Sequence, residues 1–349
     1  MNALIRKLEI QRRLTAAEFA KLIDGRNEET TRLLVQRANA IRQRWYGNHV
    51  YLRGLIEFTN YCKSDCFYCG IRRSNRNLCR YRLTAEQILD CCRQGYELGL
   101  RTFVLQGGED PGFSPEDIGG LIREIKGRWP DCAVTLSFGE HPAEVYQQWF
   151  DAGADRYLLR HETADAVHFA SLHPRRQTLE NRLRCLWDLK NMGYQVGCGF
   201  MVGSPGQGTE QIVQDLLLIS ELQPHMVGIG PFIPQKDTPF ASEPAGSAEL
   251  TAYLLSIVRI MLPEVLLPAT TALATVHPRG REMGLLAGAN VCMPNLSPSD
   301  VREKYALYDN KLSIGEEAAE SLECLRQQIA AIGYRVDMSR GDHVATAKL

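Results

Sequence analysis

Three cysteines stand close together in this sequence, at Cys62, Cys66 and Cys69, in a C-x3-C-x2-C spacing. Three thiolates in one short loop can bind three irons of a cubane [4Fe–4S] cluster and leave the fourth iron free to bind another molecule. Zinc is the main competing metal, but a structural zinc site takes four protein ligands and usually paired C-x2-C units. The chain has no second C-x2-C unit. The spacing therefore favours an iron–sulfur cluster over zinc and over three incidental cysteines.

Polar and glycine-rich residues that could surround such a cluster follow the predicted strands. Gly107 and Gly108 leave backbone groups uncovered where a ligand can approach closely. The carboxylate of Glu109, or carbonyls near it, could accept hydrogen bonds from the ammonium group of an amino-acid ligand. A simple strand–helix turn is the alternative interpretation of this segment.

Arg160 and Glu162 lie two residues apart on a predicted strand, so both side chains point to the same face. If that face is the barrel interior, arginine can hold a carboxylate and glutamate can accept ribose hydroxyls. A structural ion pair is the alternative. Arg182, on a predicted helix, could also reach inward, although alone it would more often lie at the surface. His161 faces the helices, and we assign it no role.

The elements that must position these residues alternate between strand and helix. Residues 1–48 indicate three helices that would close one end of a barrel. Eight apolar β-rich segments follow, and helical patterns separate most of them: 51–58, 102–105, 133–138, 156–160, 195–202, 226–233, 266–272 and 290–293. This alternation predicts an α/β protein with a (β/α)8 TIM-type barrel and an N-terminal helical extension. An open doubly wound sheet is the competing architecture, but no G-x-G-x-x-G follows the first strand.

The predicted organisation has three parts. These are an N-terminal helical cap at 1–48, a barrel at 49–338, whose last helix is predicted at 315–332, and a polar tail at 339–349 that we expect to fray. In such a barrel the functional residues lie at the carboxyl ends of the strands.

Composition narrows the choice of partner and compartment. The chain has 349 residues, with 40 Lys and Arg against 41 Asp and Glu, so no net field attracts nucleic acid or a membrane surface. Eleven cysteines without an apolar leader fit a reducing cytoplasm better than a disulfide framework. We interpret one local group of cations as a solvated face beside the cysteine loop, namely Arg72, Arg73, Arg76, Arg80 and Arg82.

The cysteine spacing, with Tyr68 just before Cys69, resembles the radical S-adenosylmethionine (SAM) superfamily. This resemblance implies a [4Fe–4S] cluster whose open iron is chelated by SAM. It further implies reductive cleavage of SAM to a 5′-deoxyadenosyl radical, with no catalytic residue assigned beyond the cluster.

Longer segments resemble the HydE family of [FeFe]-hydrogenase maturases over roughly residues 45–335, among them residues 69–75, 154–163 and 228–234. Biotin synthase and methylornithine synthase share this branch. The resemblance implies that SAM contacts Tyr68, Gln106, Gly107, Gly108, Glu109, Glu162, Arg182 and Met201. It implies that a small, sulfur-containing, cysteine-derived substrate contacts Thr135, Ser137, Arg160, Thr270, Thr271, Met293 and Tyr305.

The partners that this resemblance implies are the small-molecule substrate, a flavodoxin-like or ferredoxin-like electron donor and other hydrogenase maturation proteins. Some maturases bind a second cluster near the C-terminus, but that region offers only Cys324 here, so we predict a single cluster. Two alternatives stay open. One is another radical reaction, of the biotin-synthase or methylornithine-synthase kind, and the other is an iron–sulfur scaffold or carrier without catalysis.

Overall fold

The computed structural model describes residues 1–312 and 318–346. Its helices are α1 (Asn2–Gln11), α2 (Ala16–Asp24), α3 (Glu28–Tyr46), α4 (Ala85–Glu97), α5 (Pro115–Arg128), α6 (Ala143–Asp151), α7 (Ala166–Leu172), α8 (Leu179–Asn191), α9 (Thr209–Leu222), α10 (Ala248–Met261), α11 (Thr271–Val276), α12 (Gly280–Leu286), α13 (Ser299–Arg302) and α14 (Ala318–Ala331). Its strands are β1 (His49–Leu52), β2 (Gly54–Thr59), β3 (Thr102–Gly107), β4 (Ala133–Ser137), β5 (Arg156–Leu158), β6 (Gln195–Cys198), β7 (Met201–Val202), β8 (Met226–Val227), β9 (Gly230–Pro231), β10 (Val291–Cys292) and β11 (Arg335–Asp337). None of the described helices is long and apolar enough to cross a membrane.

Helix starts follow the side-chain signals in the sequence. Thr15, Thr84 and Ser114 each accept the backbone N–H three residues on, at the first turns of α2, α4 and α5. The residue at that third position returns a hydrogen bond to the cap, so two unpaired backbone groups are satisfied together. These caps fix where the three helices begin.

A parallel sheet of six strands, in the order β2-β3-β4-β5-β6-β8, forms most of the barrel wall. Isolated parallel bridges join Met226 to Leu266, Pro268 to Val291 and Leu55 to Asn295, and they carry the ring back to the first strand. The α/β barrel of TIM type is therefore confirmed, with its last segments joined by single bridges rather than by long ladders.

Several predicted strands are shorter or broken. The first divides at Arg53 into β1 and β2, and the fifth divides after Cys198 into β6 and β7. At the second break a Cβ on Gly199 would lie 1.9 Å from the carbonyl oxygen of Gly228, so the chains touch there without a side chain between them. The predicted strand at 266–272 is reduced to single bridges at Leu266 and Pro268 and is wrong beyond them, because Thr270 caps helix α11 and the chain turns helical directly after it.

The amino end of the barrel is covered by the C-terminal segment of the chain. Strand β11 pairs with β1, and the residues after it run across the barrel floor. There Asp342 forms an ion pair with buried Arg156, whose guanidinium also donates to the Arg340 carbonyl at 2.8 Å. The expectation that this tail frays is wrong for residues 339–346, since its polar groups satisfy buried cations.

The N-terminal helices α2 and α3 pack on α9 and α10 in the outer layer. The expectation that residues 1–48 close one end of the barrel stays a prediction. The predicted last helix at 315–332 corresponds to α14, but residues 315–317, like 347–349 of the tail, lie outside the described part. The division into cap, barrel and tail stays a prediction.

Candidate active site

A cavity of about 290 Å³ opens at the carboxyl ends of the strands, with the cysteine loop as one wall. Fourteen of the residues predicted from the sequence line it: Cys62, Cys66, Tyr68, Cys69, Gln106, Gly107, Gly108, Glu109, Ser137, Arg160, Glu162, Arg182, Met201 and Tyr305. The fold thus brings the three thiols and both predicted contact groups into one space. Their roles as ligands stay predictions.

Two arginines hold the cysteine loop in shape. Arg80 donates to the backbone carbonyls of Asn60 and Ile71, the latter at 2.8 Å. Arg72 is buried and binds Asp65 at 2.8 Å. Both braces satisfy backbone or carboxylate oxygens that the compact loop would otherwise leave unpaired. The interpretation as a solvated face is therefore wrong for these two and holds for the three exposed cations, Arg73, Arg76 and Arg82.

The thiols of the loop are enclosed enough to be protonated when no metal is bound. Burial raises the pKa of Cys66 to about 12. The same cause raises the pKa of Cys62 and of Cys69. A thiol in such surroundings becomes a thiolate when a cation binds to its sulfur. This chemistry fits an iron–sulfur cluster.

No three Cys, His, Asp or Glu side chains among the described residues converge in the way a single metal ion requires. Zinc in a structural site needs such convergence. A cubane cluster makes a different demand, because each thiolate binds its own iron at a separate corner. The geometry therefore gives the zinc alternative no support.

Gly108 lies directly against the cysteine loop. A Cβ added to it would come within 2.1 Å of the Tyr61 carbonyl oxygen and 2.7 Å of the Cys62 Cβ. Any side chain there would push the loop away. The backbone after β3 is thereby exposed toward the cavity at the point where the thiols face it.

The Glu109 carboxylate is already engaged by protein groups. It accepts from the Ser64 hydroxyl at 3.1 Å and from the Glu140 backbone N–H at 3.0 Å, and Lys63 Nζ lies 3.5 Å away. Glu109 therefore ties the cysteine loop to the end of β4. Of the two predicted acceptors for a ligand ammonium group, this arrangement favours the neighbouring backbone carbonyls over the Glu109 side chain.

Arg160 and Glu162 present unused hydrogen-bonding groups to the cavity. Arg160 Nη2 lies 3.1 Å from Glu162 Oε2, but these atoms and Arg160 Nε form no aligned hydrogen bond among the described residues. Buried polar groups are rarely left in this state. A carboxylate and hydroxyls of a bound molecule would satisfy them.

Arg182 reaches the same wall from helix α8. Its Nε donates to Glu140 at 2.5 Å, and Nη1 donates to the Arg160 carbonyl at 2.5 Å. Although burial opposes the charge, the Glu140 carboxylate raises the pKa of Arg182. Arg182 thus stays cationic and supports the backbone of Arg160. Beside it, the Tyr68 hydroxyl lies 3.1 Å from His173 Nε2.

Four residues predicted to contact substrate lie outside this cavity. Thr135 is buried on the same face of β4 as Ser137, one layer deeper, and its hydroxyl has no partner among the described residues. Thr270 accepts the Leu273 N–H at 3.3 Å as the cap of α11. Two more line a separate cavity of about 220 Å³ near Cys324, namely Thr271 and Met293. Thr271 begins helix α11 instead of ending a strand.

Tyr308 and Gln177 are among the cavity residues that were missed from the sequence. Tyr308 lines the cavity three residues after Tyr305, and that repeated spacing was the available signal. Gln177 accepts a hydrogen bond from the Cys66 thiol at 3.4 Å, and it stands in a loop with no pattern that indicated it.

The segment that carries both tyrosines is in backbone contact with the cysteine loop. Gly70 N–H donates to the Leu307 carbonyl at 2.9 Å, and a Cβ on Gly70 would lie 1.9 Å from the Ala306 carbonyl oxygen. The segment is anchored below by Lys311, which pairs with buried Glu57. Cysteine loop and tyrosine segment therefore share one rigid boundary of the cavity.

Comparisons with known proteins extend over nearly the whole chain. Residues 56–219 match the family model of the Radical SAM superfamily. The chain is 44% identical over 332 residues to the [FeFe] hydrogenase maturase subunit HydE of Thermotoga maritima, covering 95% of this chain and 94% of that protein. It is 28% identical over 324 residues to 3-methylornithine synthase of Methanosarcina barkeri, covering 92% and 90%. The crystal structure of methylornithine synthase (PylB) superposes with a TM-score of 0.84 at 26% identity, covering 96% of this chain and 97% of that chain.

Proposed function

We propose that this chain, which belongs to the HydE family of [FeFe] hydrogenase maturases in the radical SAM superfamily, acts on a small sulfur-containing molecule for hydrogenase maturation. The observation that carries the proposal is the pairing, in one cavity, of three thiols with the unsatisfied Arg160 and Glu162 groups. A carrier that only hands on a cluster needs no such cavity. The chain is a radical SAM enzyme, and we propose its substrate and the residues that contact cofactor and substrate.

In this proposal Cys62, Cys66 and Cys69 hold a [4Fe–4S] cluster. When bound and reduced, the cluster supplies the electron that cleaves SAM into methionine and a 5′-deoxyadenosyl radical. The cysteine loop meets the requirement for three thiolates in one short segment. The backbone beside Gly108 accepts the ammonium group of the methionine moiety, and Glu162 accepts ribose hydroxyls.

The other walls receive the substrate. Arg160 binds a substrate carboxylate, with hydroxyl groups from Ser137, Tyr305 and Tyr308 around it. Apolar neighbours keep water away from the reacting atoms, which protects a radical from side reactions. They include Leu158, Met201 and Phe232.

The partners of this reaction are a flavodoxin-like or ferredoxin-like electron donor and other hydrogenase maturation proteins. We place the reaction in the cytoplasm. All eleven cysteines are free in the structure, as a reducing compartment would keep them. The higher identity to HydE than to 3-methylornithine synthase favours hydrogenase maturation over a carbon-skeleton rearrangement.

The test is an anaerobic assay of the cluster-loaded protein with a chemical reductant and SAM. We expect 5′-deoxyadenosine, and we expect its yield to rise with S-methylcysteine but not with O-methylserine, which differs only in the sulfur. No 5′-deoxyadenosine from protein with a full cluster would favour the carrier instead. Equal yields with the two amino acids would contradict a sulfur-containing substrate.

A further inference from the structure

His161 and Asp215 form a fully buried pair behind the wall that carries Arg160 and Glu162. Both side chains are 0% exposed, and His161 Nε2 lies 3.3 Å from Asp215 Oδ1 on helix α9. Asp215 Oδ1 also accepts the Ala164 backbone N–H at 2.6 Å. Two ionisable groups enclosed this fully are costly to bury, so their position calls for a reason.

The imidazole of His161 has a defined orientation. Its Nδ1 accepts the backbone N–H of Gly199 at 3.3 Å, which leaves the proton on Nε2, the nitrogen that faces Asp215. Burial lowers the pKa of His161 to about 3, so the ring is neutral at physiological pH. The hydrogen bond from Gly199 thus fixes the tautomer and leaves Nδ1 as the acceptor, while Nε2 faces Asp215 without an aligned hydrogen bond among the described residues.

Gly199 is the residue that holds Glu162. The Glu162 N–H donates to the Gly199 carbonyl at 3.0 Å, and the Met201 N–H donates to the Glu162 carbonyl at 3.3 Å. Glu162 itself has a φ of 65°, in the left-handed region that residues other than glycine seldom adopt. Such a conformation persists only where the surroundings enforce it, and such residues cluster at ligand sites.

The chain of contacts therefore runs from Asp215 through His161 and Gly199 to the backbone of Glu162. We propose that His161, packed against Asp215 and bonded to Gly199, is a positioning residue that holds Glu162 in its left-handed conformation and so aims its carboxylate at the ribose of SAM. This inference rests on the proposed function, because Glu162 is the cofactor contact there. His161 itself touches neither cofactor nor substrate.

The experiment measures SAM affinity of the cluster-loaded protein, together with the electron paramagnetic resonance spectrum of the reduced cluster before and after SAM is added. For His161→Ala we expect affinity to fall about tenfold, the loss of roughly one hydrogen bond to the ligand. The iron content and the spectrum without SAM stay unchanged. The spectral change on SAM addition requires about tenfold more SAM. A merely packing role would lower the melting temperature without moving this spectral titration.

Two isosteres separate the two contacts of the ring and serve if the alanine variant fails to fold. The Oδ1 atom of His161→Asn occupies the position of Nδ1 and can still accept the Gly199 N–H. The Nε2 group of His161→Gln can reach Asp215 but offers Gly199 no acceptor. We expect the asparagine variant to retain affinity within about threefold and the glutamine variant to lose about tenfold. Equal affinity in both variants would overturn the inference.

His225 supplies the matched control. It contacts the beginning of strand β6, whereas His161 contacts Gly199 just after the end of that strand. Its Nδ1 accepts the Val196 N–H at 3.1 Å, as His161 does for Gly199. His225→Ala should leave SAM affinity unchanged.

The Glu162→Gln variant separates this inference from the proposed contact between Glu162 and SAM on which it rests. If that variant binds SAM normally, the proposed contact is wrong. If it binds weakly while every His161 variant binds normally, only the positioning role is wrong.

Discussion

Arg156 and Arg160 lie four residues apart, one at each end of the barrel, and their surroundings differ. Arg156 donates to the Thr102 hydroxyl at 3.1 Å and the Arg340 carbonyl at 2.8 Å, and it pairs with Asp342. Arg160 has two nitrogens without an aligned partner among the described residues. Arg156 is thus satisfied within the protein, whereas Arg160 has hydrogen-bonding groups left for a ligand.

This difference assigns stability and chemistry to separate ends of one fold. A buried cation whose partner is removed destabilises the protein, because the charge stays enclosed. A buried cation that has no partner in the free protein lowers stability until a ligand binds to it, which is frequent in binding sites. Substitutions at the carboxyl end should therefore change chemistry, and those at the amino end should change stability.

The largest effect that the comparison predicts follows Cys66→Ala. Losing one thiolate should abolish cluster binding and lower 5′-deoxyadenosine formation by about 10³-fold or more, while the barrel persists. Iron and sulfide analysis would measure cluster binding, product analysis would measure 5′-deoxyadenosine, and circular dichroism would measure whether the barrel persists. The control is Cys79→Ala at an exposed thiol near the same loop, which should keep its iron. If Cys66→Ala loses the fold and Cys79→Ala keeps it, then stability and chemistry do not belong to separate ends of the barrel.

Glu162→Gln should have the next largest effect. A charge-assisted hydrogen bond contributes about 1.5–3 kcal/mol, so SAM affinity should weaken roughly tenfold to a hundredfold with the cluster retained. Equilibrium dialysis under anaerobic conditions would measure it. Asp342→Ala, at the other end, should bind SAM as the natural protein does. Weakened binding in the Asp342 variant would break the comparison.

Asp342→Ala should instead reduce stability. Although burial opposes it, the hydrogen bond from Arg340 and the charge of Arg156 lower the pKa of Asp342, so the carboxylate is ionised at neutral pH. Its removal leaves Arg156 enclosed without its counterion, at a cost of about 3 kcal/mol in the free energy of unfolding. Urea unfolding would measure this loss. Asp90→Ala, which breaks an exposed pair with Arg93, should cost less than about 0.5 kcal/mol.

We expect no change in iron content for Cys324→Ser, which is the smallest effect in this series. This exposed thiol lies on helix α14 and does not line the active-site cavity. Iron content should be about four per chain in the natural protein and in the variant, as for one cubane cluster. About eight irons in the natural protein, reduced by the substitution, would show a second cluster and contradict our prediction.

Most of the barrel and the cysteine loop could be predicted because their signals are local in the sequence. The three cysteines lie within eight residues, and Arg160 and Glu162 share a face by strand periodicity alone. The role of the C-terminal segment could not be predicted. Strand β11 is three residues long and carries two charges, so it has no apolar pattern. Only the folded barrel shows that Asp342 meets Arg156.

The site was predicted incompletely for a related reason. The family resemblance assigned Thr270 and Thr271 to the substrate, whereas single bridges let the chain turn into α11 at these residues. Gln177 belongs to a loop without periodicity, and tertiary contacts alone bring it to the cavity. His161 was assigned no role, since a sequence cannot show that its ring meets Asp215 and the Gly199 backbone.

The close seating of Gly70 on the Ala306 and Leu307 carbonyls has a consequence for how this enzyme becomes competent. Any shift of the metal-binding loop displaces the two tyrosines that shape the space for substrate. If the three cysteines bind a cluster as we propose, its insertion would act on the shape of that space as well as on the loop.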